Sequence, residues 1–309
     1  MITLADVQAA RERIAPHVRK TPVVHWRDDC WLKLEQLQHG GSFKARGACN
    51  RLFAVGDEAL RAGVVTASGG NHGLGCAWAA HVRGTQATVY LPERAPQSTA
   101  TRLAELGATV TRHGRDWDDA WTLAVEHAQR TGALLVHPFE DAEVIAGQGT
   151  IGIELYEQLQ RVDVAVIAIG GGGLIGGVAL ALKSLVPSVR VVGVEPTGAK
   201  AMKDSLAAGR LVALERVDTI AGTLAPRAVG PNTLALAARY VDDVVLVSDD
   251  ELRAAMRRLW ADARLLVEPA GAAAVAAIAG GHVATAGKRV AVLVCGANLD
   301  PAMAAVALG

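Results

Sequence analysis

The sequence has no excess of charge of either sign. Lysine plus arginine and aspartate plus glutamate each total 31 over 309 residues. Nucleic-acid binders carry a basic excess or a basic stripe, so no nucleic acid is expected as a partner and the substrate is expected to be small. Cysteine is scarce and dispersed. Cys30, Cys49, Cys76 and Cys295 form no CxxC pair, and the nine histidines include no HExxH. A disulfide framework and the common zinc sites are thereby excluded, and reduced thiols fit a cytoplasmic protein. The opening MITLADVQAARERI lacks the apolar core of a secretory signal. There is no linker, internal repeat or low-complexity tail. None of the usual staples is needed, because a chain this long buries about three quarters of its unfolded-state surface on folding.

Long apolar runs are almost absent too. The exception, residues 164–182, carries no charge for 19 residues, but six of them are glycines and four of those are consecutive. That composition reads as a strand, a glycine turn and a helix rather than a membrane span. Short β-branched runs at 63–67, 87–91, 162–169, 189–194, 244–247 and 289–294 read as buried strands. Between them, 97–106, 116–130 and 249–262 read as amphipathic helices. The alanine-rich run 270–279 reads as a tightly packed buried helix. Strands alternating with helices imply an α/β fold: open, twisted, mostly parallel sheets flanked by helices. Ligands in such sheets sit at the carboxyl ends of strands.

Gly170, Gly171, Gly172 and Gly173, followed by Leu174, leave a strand and open a helix. Consecutive glycines let backbone N–H groups converge on an anion, and the helix N-terminus adds its dipole. A phosphate site is expected here. Gly171, Gly173 and Gly176 also satisfy GxGxxG, with Glu195 about 20 residues on, so this segment alone admits a nicotinamide-dependent oxidoreductase. No Walker lysine follows, which excludes a P-loop.

The first 80 residues separate these readings. They contain GSFKARGA around Lys44 and SGGNHG from Ser68 to Gly73. With HPF…VIAGQGT, GGGGL, GVEP, VEPAGA and VCGAN following in order, the chain resembles the fold-type II pyridoxal-phosphate enzymes, in their threonine/serine dehydratase and serine racemase branch. The resemblance covers nearly the whole chain. It implies a two-lobed architecture like that of tryptophan synthase β. Residues 1–50 plus 142–309 would form a large cofactor-binding domain, and 51–141 a small mobile one. It also implies pyridoxal 5'-phosphate held covalently on Lys44. The activity implied is β-elimination of water from an amino acid such as L-threonine or L-serine, giving a 2-keto acid and ammonia. A homodimer or homotetramer is expected.

The resemblance also assigns roles. Lys44 would carry the cofactor and then serve as base for the Cα proton, with Phe43 packed on the ring. Asn71 would hydrogen-bond the ring hydroxyl. Ser68, Gly69, Gly70, Asn71 and His72 would hold the substrate carboxylate, His72 being equally readable as a structural histidine. Cys295 would face the pyridine nitrogen as a weak, neutral partner, which favours expulsion of a β-substituent.

Three departures from the family pattern matter. Gly40 stands where relatives usually have threonine; a missing side chain there would enlarge the site toward phenylserine or another β-hydroxy amino acid such as hydroxyaspartate. Racemase relatives have a serine where this chain has Gly69, so racemisation is expected to be minor. Relatives with a divalent cation bind it after GVEP. Here Glu195 and the Ala199 carbonyl match, but Ala201 replaces the aspartate, so no metal is expected. The sequence also stops soon after VCGAN, so feedback through a C-terminal effector-binding domain is not expected.

Overall fold

The β-branched runs assemble into two sheets in a computed structural model, which describes residues 1–300 and 303–305. In the first stretch, α1 (Leu4–Ile14) precedes β1 (Val23–Arg27), β2 (Cys30–Leu34) and α2 (Lys44–Phe53). A second stretch alternates β3 (Val64–Ala67), α3 (Asn71–Arg83), β4 (Ala87–Leu91), α4 (Gln97–Glu105), β5 (Thr109–Arg112), α5 (Trp117–Thr131) and β6 (Leu134–Leu135). The third begins α6 (Ala142–Leu159), β7 (Val164–Ala168), α7 (Gly173–Leu185), β8 (Arg190–Pro196) and α8 (Ala201–Ala208). It ends α9 (Pro231–Tyr240), β9 (Asp243–Val247), α10 (Asp249–Ala263), α11 (Pro269–Ala279) and β10 (Val290–Val294).

The larger sheet runs β1-β2-β10-β7-β8-β9 and the smaller β5-β4-β3-β6. Every pair is parallel except the β1–β2 hairpin. Strands covered on both faces must be apolar throughout, and β7 and β10 are buried at every position. The uncharged stretch divides as its glycines require, into β7, a turn and α7. Among the described residues, no helix is long and apolar enough to cross a membrane.

Helix starts follow local chemistry. Asp116 caps α5 by accepting from Asp118 and Asp119 N–H, and Ser248 and Glu251 form a capping box on α10. The alanines of α11 let that helix lie close on the larger sheet, where residues 269–278 are all buried.

The hairpin was not legible from periodicity. Its first strand, Val-Val-His-Trp-Arg, lies at the sheet edge and is only half-buried, while β2 carries Lys33 fully inside. Lys33 is tolerated there because its ammonium bonds Glu154 (2.5 Å), Gln158 (2.8 Å) and the Thr21 carbonyl (2.9 Å). Arg46 extends the network, donating to Glu35 (2.8 Å through both Nε and Nη2) and to Glu154 (2.7 and 3.0 Å). Two cations thus meet two carboxylates under α2, and removing one partner would leave a buried charge uncompensated. The same helix is gripped from two sides at contact distance. A Cβ on Gly147 of α6 would lie 2.7 Å from the Arg46 carbonyl oxygen, and one on Gly75 of α3 would lie 2.8 Å from the Lys44 carbonyl carbon. Lys44, the first residue of α2, is fixed by this packing.

Candidate active site

Four segments converge at the carboxyl ends of the strands. Residues 40–43 run beside 295–298: Phe43 N–H donates to the Cys295 carbonyl (3.1 Å) and Ala297 N–H to the Gly41 carbonyl (2.9 Å). This sets Lys44 next to the end of β10. Its Nζ lies 5.1 Å from the centre of the buried Phe43 ring and donates to the Pro138 carbonyl (2.7 Å). Burial pushes its pKa down from 10.5 to about 8, so the amine can hold or release a proton near neutrality.

Pro138 ties the lysine to the glycine turn, because Phe139 lies directly on that turn. A Cβ at Gly171 would run into the Phe139 ring, and one at Gly173 would meet its carbonyl oxygen at 2.8 Å. Gly172 adopts φ +92°, which side-chain-bearing residues rarely adopt, and its Cβ would strike Met202 and Thr233 (2.6 and 2.8 Å). The turn therefore admits no side chain, and it leads into the N-terminus of α7, whose first N–H groups have no intrahelical partner. Leu174, in that first turn, is buried. Beside it, His137 packs edge-on against Phe139 and Trp121, and its Nδ1 accepts from Phe139 and Glu140 N–H. Burial and the neighbouring Lys44 lower its pKa to about 4, keeping it neutral.

From the smaller sheet, the turn at Ser68, Gly69 and Gly70 connects β3 to α3, with Ser68 Oγ accepting from Gly70 N–H (3.2 Å). Asn71 begins α3 and is buried. Its amide donates to Glu268 Oε1 and accepts from Asn298 Nδ2, both at 2.6 Å. His72 directs Nε2 to the Val136 carbonyl (3.3 Å), a structural bond, while its buried Nδ1 has no partner. Burial, then the nearby Lys44, holds the ring's pKa well below the usual histidine range. Cys295 donates its thiol to the Ala270 carbonyl (3.3 Å), and burial pushes its pKa up, so the sulfur stays neutral.

The arrangement thus brings Lys44, Phe43, Asn71, the glycine turn and Cys295 into one contact network. Sequence reasoning passed over several of its members. Glu268, held by Thr223, and Asn298 both bond Asn71 at the start of α3, and the segment 137–139 joins Lys44 to the turn. Glu268 and Asn298 lie inside quoted motifs, VEPAGA and VCGAN, but nothing in their spacing says what they touch.

Two sequence expectations are changed by the geometry. Gly40 does not widen the site: a Cβ there would face the Leu74 backbone of α3 at 3.4 Å, and its φ of +70° is the local reason for glycine. Glu195 is not free to meet a ribose. Its carboxylate accepts from Met202 and Lys203 N–H (both 2.9 Å) at the start of α8, and burial raises its pKa to about 7. Among the described residues, no group of three or more histidines, cysteines or acidic residues is placed to hold a metal ion.

The cradle fits a phosphorylated aldehyde better than a dinucleotide: a side-chain-free anion turn stands across one wall from a lysine of lowered pKa. Comparison with known proteins agrees. The model of the family described as "Pyridoxal-phosphate dependent enzyme" matches residues 14–296, and the chain belongs to that family. It is 40% identical over 307 residues to the L-threonine ammonia-lyase of Thermotoga maritima, covering 97% of this chain and 76% of that protein. Among solved structures, maize serine racemase superposes with a TM-score of 0.93 at 34% identity, covering 97% of this chain and 95% of the other. The processed form of threonine deaminase isoform 2 from Solanum lycopersicum superposes with a TM-score of 0.91 at 34% identity, covering 98% and 91%.

Proposed function

We propose that this pyridoxal-phosphate enzyme eliminates water from a small β-hydroxy amino acid, L-threonine or L-serine, and that hydrolysis of the product by water then gives a 2-keto acid and ammonia. The observation that carries the reading is Lys44, an amine of lowered pKa facing the segment that closes the glycine cradle. The names of the 35–40% identical relatives, L-threonine ammonia-lyase and L-threonine dehydratase, support the substrate class.

In this reading Lys44 holds the cofactor aldehyde, the turn at Gly170, Gly171, Gly172 and Gly173 with Leu174 holds its phosphate, Phe43 packs on the ring, Asn71 donates to the ring hydroxyl and Cys295 faces the ring nitrogen. The bound cofactor supplies a sink for charge left at Cα. The chain does the rest. The Ser68 hydroxyl and the N–H groups of Gly69, Asn71 and His72 would orient the substrate carboxylate at the start of α3, the Ser68 N–H being taken by the Tyr90 carbonyl and the Gly70 N–H by Ser68 Oγ. Lys44, an amine of lowered pKa, would take the Cα proton. The neutral Cys295 thiol cannot keep the ring nitrogen protonated, which favours loss of the hydroxyl over storage of the charge.

The small lobe, 51–141, would move against the large one formed by 1–50 and 142–309. No divalent cation is included, because both oxygens of Glu195 are engaged by α8. We further infer a cytoplasmic homodimer or homotetramer. Keto acid and ammonia, assayed across the stereoisomers of serine, threonine, phenylserine and hydroxyaspartate, test the substrate. Threonine or serine should lead, and Lys44→Ala should abolish both turnover and the visible absorbance of the purified protein. Turnover of phenylserine alone would overturn the assignment.

A further inference from the structure

One buried carboxylate in the site has no part in the reaction as described. Glu268 stands at the start of α11, where its side chain makes no capping bond, is 3% exposed and, among the described residues, has no salt-bridge partner. Its Oε1 accepts from Asn71 Nδ2 (2.6 Å) and its Oε2 from the Thr223 hydroxyl (3.0 Å). Burying an unpaired carboxylate is costly. The helix start does not account for it, since this carboxylate bonds no N–H of α11 and serine, threonine or asparagine would suit that position better.

The hydrogen bonds around it have a single direction. Arg102, which can only donate, bonds Asn298 Oδ1. Asn298 Nδ2 therefore faces the other way, donating to the Gly40 carbonyl and to Asn71 Oδ1, both at 2.6 Å. Asn71 must in turn present Nδ2 to Glu268. Neither amide can flip without setting donor against donor, so the orientation is decided by the arginine at one end and the carboxylate at the other. Asn71 is left with one committed N–H, a filled oxygen and one free N–H.

We propose that Glu268 is a positioning residue: with Asn298 it fixes the amide of Asn71 so that its remaining N–H is the one offered to the ring oxygen of the cofactor. Glu268 acts through Asn71 and does not touch the reacting atoms. The inference rests on the cofactor reading above.

The test is the visible spectrum of the cofactor-loaded protein, titrated with pH, for wild type, Glu268→Gln, Glu268→Ala, Asn71→Ala and the double alanine variant. An N–H donated to the ring oxygen alters both the band position and the pH at which the band converts. Glu268→Ala should shift both in the same direction as Asn71→Ala, and the double variant should shift no further. Glu268→Gln should return toward wild type, because its carbonyl can still accept from Asn71 while its amide donates to Thr223. A Glu268→Ala protein that melts earlier but keeps the wild-type spectrum would overturn the proposal, as would additive shifts in the double variant. A wild type that takes up no cofactor would instead overturn the cofactor reading itself.

Discussion

The two sheets present the same local device, a strand ending in glycines that open a helix, and use it differently. In the turn between β7 and α7, no side chain is admitted: Gly171 and Gly173 lie against Phe139, and Gly172 needs a positive φ. In the turn between β3 and α3, there is space. A Cβ on Gly69 would meet nothing nearer than Pro92 at 3.9 Å, and one on Gly70 would make an ordinary contact with Thr223 at 3.6 Å. The first turn can hold an anion only with backbone, whereas the second adds side chains, Ser68 and Asn71, to its N–H groups. Glycine content alone therefore does not tell an obligatory cradle from an adaptable one. The neighbours make that difference.

Substitution in the first turn should have the larger effect. Gly171→Ala forces a methyl into the Phe139 ring, and overpacking of this kind costs about 1–3 kcal/mol, or roughly five- to 150-fold in cofactor affinity. Gly70→Ala should lose far less. Titration of the two cofactor-free variants with pyridoxal phosphate, followed by absorbance, measures the contrast, and equal losses would erase it.

Between the turns stands Lys44. Only the unprotonated amine attacks an aldehyde, so cofactor capture should speed up as pH rises. With its pKa lowered from 10.5 to about 8, the rate should reach half its plateau near pH 8. Stopped-flow absorbance of cofactor-free protein gives the profile. A midpoint close to the ordinary lysine value would show that the amine is not desolvated as the structure has it.

The smallest cost in stability belongs to the open turn. Gly69→Ser should change stability by no more than about 0.5 kcal/mol, since the added side chain meets open space. It would also place a hydroxyl at the position where racemase relatives have serine. Chiral chromatography of L-serine incubated with this variant should show more Cα-inverted product than wild type gives. No increase would remove Gly69 from the reasons for expecting little racemisation.

Much of this was readable in the chain. The uncharged run 164–182 resolved into strand, turn and helix because four adjacent glycines cannot sustain either regular element, and the amphipathic run 249–262 became α10. The glycine turn was legible because it stands between a strand end and a helix start, whereas Lys44, Asn71 and Cys295 were singled out by resemblance to the family's motifs. The β1–β2 hairpin was not, since an edge strand needs no clean alternation and Lys33 reads as a surface residue until Glu154 is seen beside it.

What the sequence determined by itself was therefore the local grammar: parallel α/β elements, glycine turns after strands, a lysine opening a helix, and too little net charge for a polyanion. Tertiary structure decided the rest. It placed Glu268 and Asn298 on Asn71 from about 200 positions away along the chain, turned Gly40 toward α3 instead of into the site, and engaged Glu195 with the start of α8. The physical reason is that backbone pattern reports what a residue does to its own neighbours in the chain. The partner of a buried carboxylate or amide is set by which strands pair and how their ends come together, and no periodicity encodes that.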